Sequence, residues 1–168
     1  MSADTLSTLA RLAGTRLKAG GRMLVTAESC TGGWVAQAVT AIAGSSAWFE
    51  CGYVTYSNDA KQAMVGVKAA TLARFGAVSE ETAREMAAGA LAASRGSVAL
   101  AVTGVAGPSG GSPEKPVGMV CFSWMLRDGP PKSETRHFTG DRAAVRRQSV
   151  IRALQGLIEV LDDAGTQV

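Results

Sequence analysis

Residues Val25 to Trp34 read VTAESCTGGW, and the fold turns on how this stretch is parsed. Met23 to Ala27 is a short apolar run behind Gly20-Gly21, best read as a buried strand. Thr31, Gly32 and Gly33 interrupt it. Trp34, Val35, Ala38, Val39 and Ile42 then recur at helical spacing. Strand, glycine turn and helix, in that order, make the unit from which an α/β domain is assembled.

Upstream, Leu6, Leu9, Ala10, Ala13 and Leu17 mark a first helix behind a cap at Asp4, closed by Gly20-Gly21. Downstream, the aromatic and β-branched run Phe49 to Tyr56 predicts a second strand. The segment SNDAKQAMVGV then starts a helix behind Ser57 or Asn58. Two more helices follow, over 68–75 and from the capping box at Ser79 to a stop near Gly96. Val98 to Val102 is a third strand, and it runs into TGVAGPSGGSPEKP, too rich in glycine and proline to continue it. Residues 116–126 and 134–138 read as a hairpin, and 141–161 as the closing helix.

No repeat or linker divides the chain, so the expectation is one domain over residues 1–168: a three-layer α/β/α sandwich with a mixed sheet. Loops at the carboxyl ends of its strands converge in such a fold. Three candidates reach that edge: ESCTGG, TYSNDAK and TGVAGPSGG.

Composition bounds the function. With 168 residues, 46% of them hydrophobic and 18% charged, the chain can bury a core and is not disordered. Seventeen basic against 14 acidic residues give +3, too mild for a nucleic-acid partner to be expected. Arg142, Arg146, Arg147 and Arg152 concentrate on the last helix, as a solvated face or as the edge of a small-anion site. Cys30, Cys51 and Cys121 have no ligand spacing, and their odd number argues for reduced thiols. His137 is the one histidine, so a histidine triad or multi-histidine zinc site is not expected, and no metal is. The amino-terminal segment reads as an amphipathic helix without a signal-peptide core, and no apolar run reaches the roughly 20 residues of a membrane span. A cytoplasmic protein without a membrane partner is expected.

The three loops carry the chemistry. Ser29 stands at a strand-to-helix junction, where the amides of Thr31, Gly32 and Gly33 would begin an uncapped helix and favour negative charge. The alternative is that Ser29 or Thr31 caps that helix and the glycines allow close packing. Tyr56 and Lys61 flank the next turn. A lysine turned inward at a helix start has its ammonium form destabilised, and a neutral amine is a base. Serine needs such a base, and lysine can replace histidine in that task. Ser29, Tyr56 and Lys61 thus form a candidate nucleophilic set, against a surface lysine and a core tyrosine. In the third loop, Thr103, Gly104 and Gly107 offer amides and close backbone approach to a ligand. Arg142 could grip a phosphate, with Asp141 capping its helix. Glu28 could orient the serine loop or a substrate hydroxyl.

TAESCTGG, AGSSAWFECGYVTYSNDAK, AVTGVAGPSGGSPEKPVG and FTGDRAAVRRQ, in this order, resemble the CinA C-terminal domain family over nearly the whole chain. Its stand-alone members are nicotinamide-nucleotide amidases. The resemblance implies hydrolysis of the carboxamide of nicotinamide mononucleotide to nicotinate mononucleotide and ammonia, in pyridine-nucleotide recycling. It places the catalytic serine, tyrosine and lysine at Ser29, Tyr56 and Lys61, implies no cofactor, and suggests a homo-oligomer. Two alternatives stay open: a module that binds a pyridine nucleotide without turnover, and a protein-interaction module.

Overall fold

The computed structural model describes residues 3–165, which run in the order α1 (Ala3–Ala19), β1 (Leu24–Glu28), α2 (Trp34–Thr40), a 3₁₀ turn at Ser45–Ala47, and β2 (Phe49–Val54). Then come α3 (Asn58–Val65), α4 (Ala69–Phe75), α5 (Glu80–Ala93), β3 (Val98–Gly104), β4 (Met119–Leu126), β5 (Lys132–His137) and α6 (Arg142–Gly165). The strands form one sheet in the order β2-β1-β3-β4-β5. β1 is parallel to β2 and to β3, whereas β3, β4 and β5 are antiparallel in succession, so the sheet is mixed as expected.

Side chains alternate across a strand, and that period divides the apolar residues between two cores. Leu24, Val98, Leu100, Val102, Phe122 and Trp124 face α1, α2 and α6, while Val25, Ala27, Ala99 and Ala101 face α3 and α5. Three layers result. β1 is buried along its whole length, as a central parallel strand covered by helices on both sides must be. α6 lies against the sheet so closely that Gly156 sits over Trp124, whose Nε1 donates to the Ala153 carbonyl at 2.9 Å.

The elements differ from the expectations at their ends. β2 stops at Val54, which leaves Thr55 and Tyr56 outside the ladder with carbonyls free for other partners. β4 begins at Met119 because Gly118, at φ 95, turns the chain into it. α6 starts at Arg142, with the Ala144 amide donating to Asp141 Oδ1 at 2.9 Å, and continues past Leu161 to Gly165. α1 begins at Ala3, and the cap expected of Asp4 concerns a side chain outside the described residues. None of the described helices is long and apolar enough to cross a membrane.

Because β1, β2 and β3 are parallel, their carboxyl ends share one edge. Glu28, the last residue of β1, pairs with Val54 of β2 on one side and Val102 of β3 on the other. The residues that follow each strand therefore open onto the same place.

Candidate active site

Ser29 leaves β1 with its amide still donating to the Val102 carbonyl at 2.9 Å. The chain then turns sharply. Gly32 and Gly33 have φ of 61 and 99, a left-handed backbone that residues with a Cβ rarely adopt. The Gly32 amide donates back to the Ser29 carbonyl at 3.0 Å, which closes the turn before α2.

Of the two expected arrangements at the start of α2, open or capped, the capped one is nearer, but the cap is neither Ser29 nor Thr31. Glu28, 1% exposed, folds its carboxylate forward over the turn. It accepts from the Thr31 hydroxyl at 2.6 Å and from the amides of Val35 and Ala36 at 2.9 and 3.1 Å. A buried carboxylate on helix-start amides meets both the dipole and the unpaired donors. Glu28 thus orients the serine turn, and the two helix-start amides it caps are occupied.

Lys61 belongs to the first turn of α3, whose start is capped by Ser57 Oγ accepting from the Ala60 amide at 3.0 Å. Its side chain runs inward and is 1% exposed. Nζ lies 3.0 Å from Ser29 Oγ, 2.9 Å from the Thr55 carbonyl and 3.1 Å from the Tyr56 carbonyl. Burial lowers its pKa from the ordinary lysine value. A neutral amine has two N–H bonds and one lone pair. In that form, with the two carbonyls taking the N–H bonds, the lone pair is left for Ser29, whose hydroxyl otherwise donates to the Tyr56 carbonyl at 3.4 Å. The arrangement is that of a base set against a hydroxyl nucleophile.

Ser29, Tyr56, Asn58, Lys61, Thr103 and Arg142 line a cavity of about 180 Å³, along with Cys30, Gly104 and Ala106. Two larger grooves, of about 540 and 560 Å³, lie beside α5, and neither is lined by Ser29 or Lys61. All three expected loops contribute. Tyr56 takes part through two different atoms: its carbonyl faces Lys61, while its hydroxyl accepts from Arg142 Nη2 at 3.2 Å on the rim. Arg142 is also fixed by Nη1 donating to the Gly107 carbonyl at 2.8 Å. Thr103, 1% exposed, donates to the Ala77 carbonyl at 2.9 Å and keeps its acceptor capacity. Glu28, Thr31, Gly32, Gly33 and Gly107 are not among the residues that line the cavity.

Cys30, beside Ser29, is buried, and burial pushes its thiol up to about 12, so it stays protonated at neutral pH. Among the described residues no group of three or more His, Cys, Asp or Glu stands where it could hold a metal ion. Sequence reasoning missed Asn58, at the first position of α3, and the Thr55 carbonyl. It also missed that Arg146 reaches the serine turn from α6, donating to the carbonyls of Cys30 and Thr31.

Comparison with known proteins matches residues 6–161 to the family described as the CinA C-terminal domain. The chain is 54% identical over 157 residues to nicotinamide-nucleotide amidohydrolase PncC of Escherichia coli strain K12, covering 94% of this chain and 95% of that one. It is 52% identical over 158 residues to the protein of the same name from Pseudomonas putida, covering 94% and 98%. Among solved structures, the competence/damage inducible protein CihA from Agrobacterium tumefaciens superposes with a TM-score of 0.90 at 49% identity, covering 94% of this chain and 96% of that one.

Proposed function

The chain belongs to the CinA C-terminal domain family, and from that premise we propose that it is a nicotinamide-nucleotide amidohydrolase acting through Ser29 and Lys61. The observation that carries this reading is the 3.0 Å contact between Lys61 Nζ and Ser29 Oγ, both buried beneath a small cavity. The named relatives supply the substrate: the carboxamide of nicotinamide mononucleotide.

Neutral Lys61 takes the hydroxyl proton as Ser29 Oγ attacks the carboxamide carbon, and the carbonyl oxygen becomes an oxyanion. Candidate donors to it are the main-chain amides of Cys30, Gly104 and Ala106, which belong to lining residues. The Gly32 and Val105 amides are already committed to the carbonyls of Ser29 and Met119. As the intermediate collapses, the Lys61 ammonium passes its proton to the leaving nitrogen and ammonia departs. Water then attacks the ester, giving a proton to Lys61. The second collapse returns that proton to Ser29 and frees nicotinate mononucleotide.

At about 180 Å³ the cavity is smaller than sites that enclose a whole drug-sized ligand. The carboxamide and its ring fit inside while the phosphoribosyl group lies toward the rim, where Arg142 is held ready for the phosphate. Tyr56 serves by its carbonyl on Lys61 and by its hydroxyl on Arg142. The enzyme acts in the cytoplasm as a homo-oligomer on this small molecule, with neither nucleic acid nor membrane as partner.

The test is formation of ammonia and nicotinate mononucleotide by wild type, Ser29→Ala and Lys61→Ala, each shown to be folded. Loss of roughly 10³-fold or more in both variants supports the pair. Binding without turnover in the wild type overturns the reading in favour of a nucleotide-binding module.

A further inference from the structure

α6 meets the active site twice, one helical turn apart. Arg142 goes to the cavity rim. Arg146, four residues on and so on the same face, goes beneath it to the turn that carries the nucleophile. Its Nε donates to the Cys30 carbonyl and its Nη2 to the Thr31 carbonyl, both at 3.1 Å, and its guanidinium lies 5.5 Å from the centre of the Trp34 ring. The side chain is half-buried, so these bonds are partly shielded from solvent.

A peptide unit is planar, so fixing a carbonyl also fixes the amide joined to it. Holding the Cys30 and Thr31 carbonyls on Arg146 sets the direction of the Thr31 and Gly32 amides. The Gly32 amide is the one that closes the turn onto the Ser29 carbonyl. On its other side the same turn is held by Glu28, through the Thr31 hydroxyl and the first amides of α2. Two glycines with positive φ sit between these anchors. A backbone free to rotate there needs both. Arg146 meets the two carbonyls with two different nitrogens of one rigid plane, an orientation that the single nitrogen of a flexible lysine at this position does not reproduce.

We propose that Arg146 is a positioning residue for the nucleophile: by clamping the Cys30 and Thr31 carbonyls it holds Ser29 Oγ in line with Lys61, and it plays no part in binding the phosphate. This rests on the amidohydrolase reading for its assay but not for its geometry. It separates two arginines that the sequence groups on one basic stretch of the last helix. Arg142 acts on affinity and Arg146 on turnover.

Arg146→Lys, which keeps the charge, and Arg146→Ala are compared with wild type for kcat and KM on nicotinamide mononucleotide. In parallel, the rate at which a fluorophosphonate labels Ser29 is measured, since that reaction needs the nucleophile but not the nucleotide. A misplacement of about 1 Å can cost on the order of 10²-fold in rate. The expected result is a 10- to 100-fold fall in kcat and a matching fall in labelling for both variants, with KM within about twofold. Methylguanidinium added to Arg146→Ala should restore part of both rates. A rise in KM with kcat and labelling unchanged would make Arg146 a substrate ligand and overturn the proposal. So would normal kcat and labelling in Arg146→Lys, the variant that decides if Arg146→Ala does not fold. Wild-type labelling without nucleotide turnover would sink the amidohydrolase reading alone, and the labelling rates would still judge Arg146.

Discussion

Lys61 Nζ lies 3.0 Å from Ser29 Oγ, although 31 residues separate the two in the chain and a different strand precedes each. Burial destabilises the ammonium form, so the pKa falls below its ordinary value of 10.5. In the proposed reaction the free amine is the base, so kcat/KM should rise with pH through that lowered pKa and then level off. Stability follows with a definite sign. Between the folded and the ordinary pKa the unfolded chain holds a proton that the folded chain does not, so the fold gains stability as pH rises through that window. Urea unfolding of wild type and Lys61→Met at several pH values checks this: the difference should shift in favour of wild type toward alkaline pH. A difference independent of pH would mean that Lys61 titrates normally.

Tyr56 and Arg142 make a second prediction, because the Tyr56 hydroxyl meets Arg142 while its carbonyl meets Lys61. Tyr56→Phe keeps the carbonyl and loses only the rim contact. It should cost less than about tenfold in kcat, whereas a proton-transferring hydroxyl would cost about 10²–10⁴-fold. Arg142→Ala should raise KM about tenfold or more, with kcat less affected, since it removes a charge-assisted contact to a phosphate distant from the reacting carbon. Steady-state kinetics of the two variants decide both points, and an unchanged KM in Arg142→Ala would remove Arg142 from the phosphate site.

Much of this was legible in the sequence because it is local. The apolar run before Ser29 and the glycines after it indicate a strand-turn-helix unit, and Ser57 and Ser79 cap the helices expected of them. Lys61 was legible as a lysine at a helix start, where a cation is out of place. Its distance from Ser29 was not, since that depends on β2 lying parallel to β1 with Val54 beside Glu28. Which of its two expected roles Glu28 takes was not legible for a related reason. A cap is sought at the residue just before a helix, whereas this carboxylate reaches the amides of Val35 and Ala36 from the strand before the turn. Arg146 lies 116 residues from Cys30 and 115 from Thr31, and no local pattern joins them.

Glu28→Gln tests the anchor inside the turn. The carboxylate serves a hydroxyl and two amides with two oxygens, and an amide side chain offers one oxygen and turns an NH₂ toward a donor. A buried donor left facing another costs about 1–3 kcal/mol. For a chain of this size that corresponds to a fall in Tm of roughly 2–12 °C. Thermal unfolding by circular dichroism measures it. An unchanged Tm would show that the carboxylate is not what holds the start of α2.

Gly156 tests the packing that brings α6, and with it Arg142 and Arg146, onto the site. Alanine in a helix interior is ordinarily favoured over glycine by about 1 kcal/mol, so propensity alone predicts that Gly156→Ala stabilises. Packing predicts the opposite. A Cβ at this position would lie 2.0 Å from Cζ2 and 2.3 Å from Cε2 of Trp124, far inside contact distance. The indole cannot swing away, because Nε1 is bound to the Ala153 carbonyl and the ring is stacked on Phe122 with centroids 5.6 Å apart. Overpacking of a core costs about 1–3 kcal/mol, occasionally more, and here the clash is severe enough to outweigh the propensity gain. The urea midpoint should therefore drop. Because α6 carries both arginines, kcat should fall with it. A raised midpoint would mean that α6 can lift off the sheet without cost, and the close seating of α6 would then not be what places Arg146 against the serine turn.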